Sequence, residues 1–364
     1  MTDLNEESSE PTTESQEEKS EEEILQELIS DLKTNILIVG CGGGGNNTLT
    51  RLSEEGVEGV EMLAANTDAQ HLLSTIAENK MLIGRECARG MGAGSDPVIG
   101  QAAADESRSE ILEACTDADI VFLTAGLGGG TGTGSLPVFA KLAKQQKALT
   151  IAVVTMPFTN EGAKRMENAR QGLERLRKVV DTVIVIPNDR LLNDDISQLP
   201  LNQAFREADD ILAGAIKCMS EITTATGLVN IDFADLRSIM TTESGVAMIG
   251  TGEGSGADRA SEAVKAALSS PLIEVDIEGA SGALVNVTGG SDMSLKEAET
   301  VLEEIYSKIN KEARIIWGAS VDPELDNSIR VMLVVTGVKS EQILGPPSSI
   351  EEDLETRYGI DFVQ

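Results

Sequence analysis

Residues Ile120–Gly134 read IVFLTAGLGGGTGTG, and the helical pattern Leu136–Lys147 follows directly. The stretch opens as a continuous apolar strand, Ile120–Thr124. Six glycines and two threonines then fall within the nine residues Gly126–Gly134. Glycine loses more backbone freedom on folding than any other residue, so this is a costly connection unless its backbone has a task. The same strand–glycine–helix order occurs upstream, in strand Asn35–Val39, loop Gly40–Asn47 and a helix through Leu49 and Leu52. That loop contains GxGxxG at Gly40, Gly42 and Gly45. Glycine lets backbone N–H groups approach an anion, and a helix N-terminus adds partial positive charge. Two such loops at the carboxyl ends of one parallel sheet make a cradle for several phosphates. Thr131 and Thr133 add hydroxyl donors, and Gly90–Gly94, with Gly92, Ala93 and Gly94, supplies a third wall. Neither main loop contains Gly-Lys-Ser/Thr, so this is not a Walker P-loop. Neither contains a lysine, so Mg2+ is expected to neutralise the phosphates.

Working outward, strands are expected at Met62–Asn66, Leu149–Met156 and Val183–Pro187, with helices at Ala69–Ala77 and Glu106–Cys115. A polar loop is expected over Gly84–Gly100. Alternating strands and helices imply a parallel sheet covered on both faces. The longest helical pattern is Asn202–Thr226, ended by Gly227. After it the texture changes to strands Leu272–Val275, Ala283–Thr288, Arg314–Val321 and Ile329–Val338 and helices Asp258–Leu268 and Ser294–Asn310, an α+β arrangement. The expected domains are a disordered acidic tail 1–23, a nucleotide domain 24–201 led by a short amphipathic helix, a central helix and loop 202–229, a C-terminal domain 230–340 and a flexible tail 341–364.

Composition removes several classes of function. The 364 residues carry 61 acids and 29 bases, a formal charge of −32. That argues against nucleic acid and against docking on an anionic membrane. The acids concentrate at the ends, twelve with one lysine in residues 1–31 and six with one arginine in 341–364. His71 stands alone, which excludes a multi-histidine metal site and any Ser-His-Asp triad that does not use it. Cys41, Cys87, Cys115 and Cys218 form no CxxC pair, so neither zinc nor disulfides are expected and the compartment is reducing. No apolar run reaches the roughly 18 residues of a membrane span, no signal peptide opens the chain, and a cytoplasmic protein is expected.

The first loop by itself fits a dinucleotide site, since Asp68 lies near the end of the next strand, where such folds place a ribose acid. A nicotinamide-dependent oxidoreductase is therefore one reading. The second loop, the pair Asp232 and Asp235, and the lack of a proton-transfer histidine favour nucleoside triphosphate chemistry. Asp232 and Asp235 precede the pattern Phe233, Leu236, Ile239, Met240, where helix capping also explains them.

The whole set of motifs resembles FtsZ of the tubulin/FtsZ GTPase superfamily, in its archaeal form. It is carried by GCGGGGNN at Gly40–Asn47, Asn66-Thr67-Asp68-Ala69-Gln70, GGGTGTG at Gly128–Gly134, Thr155-Met156-Pro157-Phe158 with Glu161 and Arg165, and Asn230-Ile231-Asp232-Phe233-Ala234-Asp235. Asn46 stands where bacterial members usually have glycine. The resemblance spans about residues 34–340. It implies an α/β fold with a Rossmann-like parallel-sheet GTPase domain, a long central helix and a smaller α+β C-terminal domain. It further implies that Gly42, Gly43, Gly44, Gly45, Asn46, Asn47, Asn66, Asp68, Gly92, Ala93 and Gly94 line GTP or GDP. Gly130, Thr131 and Gly132 hold the phosphates, Glu161 and Arg165 sit at the ribose side, Asn188 and Asp209 read the guanine with Phe205 placed to stack on it, and Gly128, Gly129, Thr133, Gly134, Thr155 and Pro157 complete the nucleotide site. A carboxylate suits guanine, which offers N1–H and N2–H2 together. Asn230, Asp232 and Asp235 are implied to polarise the attacking water and help hold the cation.

The expected protein is a self-polymerising cell-division GTPase at the mid-cell ring, or an FtsZ-like relative that regulates or scaffolds. Asp209 and Gly227 lie about 27 Å apart at helical rise, so base reader and acids of one chain cannot share one GTP. The site is then completed by the next subunit of a head-to-tail homopolymer. The apolar residues in 350–364 are expected to bind a membrane anchor, by family resemblance of the SepF kind.

Overall fold

The computed structural model describes residues 34–57, 59–191, 201–224, 229, 231–241, 246–270, 272–273, 277–323 and 325–338. The two acidic tails, the leading helix expected before residue 34, Gly227, Asn230 and the last part of the strand expected at Leu272–Val275 lie outside them.

Six strands, β1 (Ile36–Cys41), β2 (Val60–Asn66), β3 (Asn79–Leu82), β4 (Ile120–Gly126), β5 (Leu149–Met156) and β6 (Thr182–Pro187), run parallel in the order β3-β2-β1-β4-β5-β6. This is the doubly wound order, in which the chain leaves β1 toward one edge and returns at β4 toward the other. The crevice lies where the direction reverses, at the carboxyl ends of β1 and β4. Both glycine loops begin there.

The helices are α1 (Gly42–Glu54), α2 (Ala69–Ser74), α3 (Pro97–Glu106), α4 (Arg108–Ala114), α5 (Thr131–Gln145), α6 (Ala163–Arg177), α7 (Leu201–Thr224), α8 (Phe233–Met240), α9 (Arg259–Leu268) and α10 (Leu295–Tyr306). Strand side chains alternate between two faces. Leu37, Val39 and Cys41 of β1 accordingly join one core with Leu136 and Phe139 of α5 and Leu173 of α6. Ile36 and Ile38 join a second core with Leu49 and Leu52 of α1 and Leu212, Ile216 and Met219 of α7. Sharing a face brings α1 and α7 into contact. Both faces are covered, which is why β1, β4 and β5 are apolar without alternation.

The sheet continues into the C-terminal part. β7 (Val246–Ser255) pairs parallel with β6 at Val183↔Val246 and Ile184↔Ala247. Beyond it lie β10 (Ser328–Thr336), antiparallel to both neighbours, then β8 (Gly282–Gly289) and β9 (Arg314–Val321). Ten strands thus form one sheet.

Several elements differ from the sequence reading. The helix expected from Leu136 begins at Thr131, inside the glycine run. The loop expected over Gly84–Gly100 gives way to α3 at Pro97, with Asp96 as N-cap through Oδ1. Leu272 and Ile273 are not in a strand. In their place β7, unread in the sequence, supplies the connection between the two halves of the sheet. Its glycines alternate at Gly250, Gly252 and Gly254, and α9 lies directly on that stripe. A Cβ at these positions would stand 2.4 Å from the Ala267 carbonyl, 2.2 Å from that of Ala263 and 2.2 Å from that of Arg259.

Candidate functional site

The first loop is held shut from within. A Cβ on Gly45 would lie 2.3 Å from the Thr124 carbonyl, so only glycine lets α1 begin this close to β4. Asn46 is fully buried. Oriented by its neighbours, its amide donates to the Gly40 and Gly42 carbonyls at 2.9 and 3.2 Å and accepts from Asn66 Nδ2 at 3.1 Å. Asn46 therefore staples the loop from beneath, its amide engaged with the carbonyls of its own loop. Asn66, also buried, receives the Asp68 N–H at 3.2 Å. Asp68 itself caps α2, with Oδ1 accepting from the backbone of Gln70 and His71 at 2.9 and 3.0 Å.

The second loop meets the first. Cβ atoms on Gly42 and Gly44 would each come within 2.9 Å of a backbone nitrogen, those of Gly132 and Gly126. Thr133 is buried and its hydroxyl accepts from Gly128 N at 2.9 Å, which braces the loop from within. Gly128 adopts φ +101°, a region that disfavours side chains. Pro157 and the Arg165 carbonyl stand against it, and the Thr155 carbonyl receives Leu127 N at 2.9 Å. Thr131 turns its hydroxyl to Thr67 at 2.6 Å. The third wall joins here. Ala93 lies where a Gly130 Cβ would clash at 2.8 Å, and Gly92 N donates to the Thr67 carbonyl at 3.1 Å. Asn168 of α6 ties two walls together, donating to the Ser95 carbonyl at 3.2 Å and the Gly128 carbonyl at 3.5 Å. Gly134 belongs to the packing of α5, where a Cβ would strike the Pro97 carbonyl at 2.1 Å.

What remains open marks the cradle. Among the described residues, no atom beyond the adjoining backbone lies within 4 Å of a Cβ on Gly43, Gly129 or Gly94. Gly43 and Asn47 are exposed, while Gly44, Gly129 and Thr131 are half-buried. The helices that start here, α1 and α5, have no side-chain cap and no acid in the first turn. Their terminal N–H groups and dipoles are thus free for anionic oxygens.

Beside the cradle, Glu161 Oε1 accepts from Phe158 N at 2.9 Å and Oε2 pairs with Arg165 Nη1 at 2.8 Å. Phe158 and Phe205 meet edge to face at 5.3 Å. Asn188 is buried, and its Oδ1 has no hydrogen-bond partner among the described residues. Burial pushes the Asp209 carboxyl up to about 7, although a hydrogen bond with Asn47 draws it down; the Asp210 charge raises it and the Arg51 charge lowers it. Loops, ribose side and base side therefore gather at the carboxyl end of the parallel strands.

Asp232 and Asp235 lie elsewhere. Asp232 caps α8 through Oδ1 to Ala234 N at 3.1 Å, and Asp235 Oδ1 pairs with Arg314 Nη2 at 2.7 Å. The helix that carries them is fixed at the amino ends of the strands. Arg237 Nη2 donates to the carbonyl of Lys147, just before β5, at 3.1 Å. The hydroxyl of Thr182, the first residue of β6, donates to the Met240 carbonyl. From Lys147 to Thr155 at the other end of β5 is about 26 Å at strand rise. Both acids are thus a full strand length from the cradle of their own chain. Sequence reasoning missed Thr67, Asn168, Arg314 and Arg51. Thr67 sits between two residues it did single out, whereas the others carry no local signal.

Comparisons with known proteins agree with this arrangement. Residues 35–195 match the model of the Tubulin/FtsZ family, GTPase domain, and residues 245–339 that of the FtsZ family, C-terminal domain. The chain is 56% identical over 337 residues to cell division protein FtsZ 1 of Archaeoglobus fulgidus, covering 93% of this chain and 90% of the relative. It is 53% identical to cell division protein FtsZ of Haloferax mediterranei, over 100% of this chain and 96% of the relative. An FtsZ dimer of M. jannaschii superposes with a TM-score of 0.84 at 51% identity, covering 89% of this chain and 94% of that one.

Proposed function

The chain belongs to the FtsZ family of tubulin-like GTPases, and we propose from that premise that it is a cell-division GTPase which assembles head to tail and hydrolyses GTP between subunits. The observation that carries this reading is the opposition of the two ends: cradle at the carboxyl ends of the strands, Asp232 and Asp235 at the amino ends. No single nucleotide spans a strand length from base to γ-phosphate. A second copy stacked along the strand direction brings its acids to the first copy's phosphates. Such a contact joins two different faces, so it does not close and propagates into a filament.

Within one subunit the uncapped N-termini of α1 and α5, the open backbone at Gly43 and Gly129 and the Thr131 hydroxyl bind the phosphates. Glu161 and Arg165 take the ribose, Phe205 packs on the base, and Asn188 and Asp209 read its edge. The donors of the cradle are backbone groups and hydroxyls, with no lysine in either loop. Among the described residues no group of three His, Cys, Asp or Glu is arranged to hold a metal. A Mg2+ ion accordingly suits this cradle as a partner of the phosphates and water, with Asp232 and Asp235 of the next subunit adding carboxylate oxygens. It supplies neutralisation of phosphate charge. Water adds to the γ-phosphorus as the bridging β–γ bond breaks, leaving GDP and phosphate, and Asp235 accepts a hydrogen bond from that water. Asn230, of the same motif, lies outside the described residues.

The test mixes two inactive variants. Asp235→Ala keeps its cradle, whereas Gly129→Asp loses nucleotide binding and keeps its acids. The mixture is expected to recover activity that neither has alone. A mixture that stays dead while the two demonstrably associate, or a wild-type specific activity independent of protein concentration, defeats the shared site. We further assign residues 350–364, outside the described residues, to a membrane anchor of the SepF kind at the division ring. Deleting them is expected to preserve GTPase activity and abolish anchor binding in a pull-down; retained binding defeats the assignment.

A further inference from the structure

Two residues one turn apart on α1, Asn47 and Arg51, face two adjacent carboxylates near the start of α7, Asp209 and Asp210. The partners are sorted. Arg51 Nε donates to Asp210 Oδ1 at 2.6 Å and Nη2 to Oδ2 at 3.1 Å, a two-pronged pair, while Nη1 donates to Glu54 Oε2 at 2.6 Å. All three guanidinium nitrogens are engaged. Asp209, half-buried like its neighbour, receives the neutral Asn47 amide instead. Consecutive helix residues diverge by about 100°, so one carboxylate meets the arginine while its neighbour turns to Asn47.

Sorting matters because a guanidinium and a guanine edge present the same chemistry. Each offers parallel N–H donors that fit the two oxygens of a carboxylate. Arg51 is therefore a built-in competitor for any carboxylate that reads guanine. Its charge already acts on Asp209 as well as on Asp210.

We propose that Asp210 is a specificity-determining decoy: by holding Arg51 in a two-pronged pair it keeps the Asp209 carboxylate free for the N1–H and N2–H2 of guanine. The proposal rests on Asp209 being the guanine reader. Asp210 acts through Arg51 and is a positioning residue. Its loss lowers discrimination between bases more than it lowers phosphate binding, which depends on the glycine loops.

The experiment measures dissociation constants of the full-length protein for GDP and for inosine diphosphate, which lacks the 2-amino group. The wild type is expected to prefer GDP. Asp210→Ala releases Arg51 onto Asp209 and reduces that preference roughly tenfold, the scale of a hydrogen bond to a charged group. Adding Arg51→Met removes the competitor and restores the wild-type preference. Asp210→Asn, which keeps the side-chain volume, is measured in parallel together with its melting temperature. If the pair merely fastens α1 to α7, the double variant is no better than Asp210→Ala, because both halves of the fastening are gone. That result overturns the proposal, as does an unchanged preference in both Asp210 variants. Asp209→Ala separates the two failures. An unchanged preference there defeats Asp209 as the reader; a collapsed preference there, with Asp210→Ala like wild type, defeats the decoy alone.

Discussion

The glycines of the phosphate cradle and those of β7 look alike in sequence and do opposite things. GLGGGTGTG at Gly126–Gly134 and GTGEG at Gly250–Gly254 both alternate glycine with small or polar residues. In β7 every glycine is filled by the fold, since the backbone of α9 lies 2.2–2.4 Å from where each Cβ would be. In the cradle some glycines are filled likewise, such as Gly45 and Gly134, but Gly43 and Gly129 face open space. A glycine kept for packing has a protein atom where its side chain would go. A glycine kept for a ligand has none.

That contrast breaks most visibly at the packed stripe. Gly252→Val is expected to cost about 3 kcal/mol, because the helix backbone cannot give way as a side-chain tip can. Urea unfolding reads the loss directly; a variant as stable as wild type would show that α9 is free to lift off β7.

The cradle should behave in reverse. Gly129→Ala and Gly43→Ala meet no protein atom within 4 Å and neither needs a left-handed backbone, so both are expected to melt like wild type. GDP affinity should nonetheless fall roughly tenfold, as a methyl group occupies the space of a phosphate oxygen and its N–H contact. Calorimetric titration beside a thermal melt separates the two effects. Full affinity would mean that these positions face solvent only.

The smallest effect sharpens the packed side. Arg259, whose carbonyl rests on Gly254, is buried and pairs with Glu297 and Asp292, each at 2.6 Å. The guanidinium holds Glu297 down at about 2, from an ordinary 4.5, with the Ser294 cap assisting. A lowered carboxyl stabilises the fold fully above about 4.5 and loses that contribution as pH falls toward 2. Glu297 is partly exposed, so about 1 kcal/mol is expected. The stability gap between wild type and Glu297→Gln should therefore hold level from pH 6 to about pH 5 and narrow from there to pH 3 in urea titrations; a gap that stays constant down to pH 3 would rule out the ion pair as its source.

How much was legible follows the same division. The cradle could be read because strand, glycine run and helix start are contiguous, and the cost of so many glycines demands a reason. The existence of strands β1, β2 and β4 to β6 was readable from apolar runs. β7 was not, since alternating glycines remove the side chains by which a strand is recognised. Asn46 was read as a ligand contact; that its amide holds the carbonyls of its own loop was not legible. Thr133 was read as a phosphate donor; that its hydroxyl also accepts from Gly128 N was not legible. In both cases the residue type was legible and its partner inside the loop was not.

By itself the sequence determined the parallel α/β half, the two anion-binding loops and the acidic motif after the long helix, because each is written in neighbouring residues and enforced by local backbone chemistry. Only the tertiary structure decided which glycines face a ligand, which of two adjacent carboxylates meets Arg51 across 159 residues, and that Arg314 holds Asp235 from 79 residues away. It also decided that the acids stand at the far end of the strands from the cradle. Those outcomes depend on strand order and on which sheet face each helix covers, and both are set by long-range burial of apolar surface, which local patterns bias but do not specify.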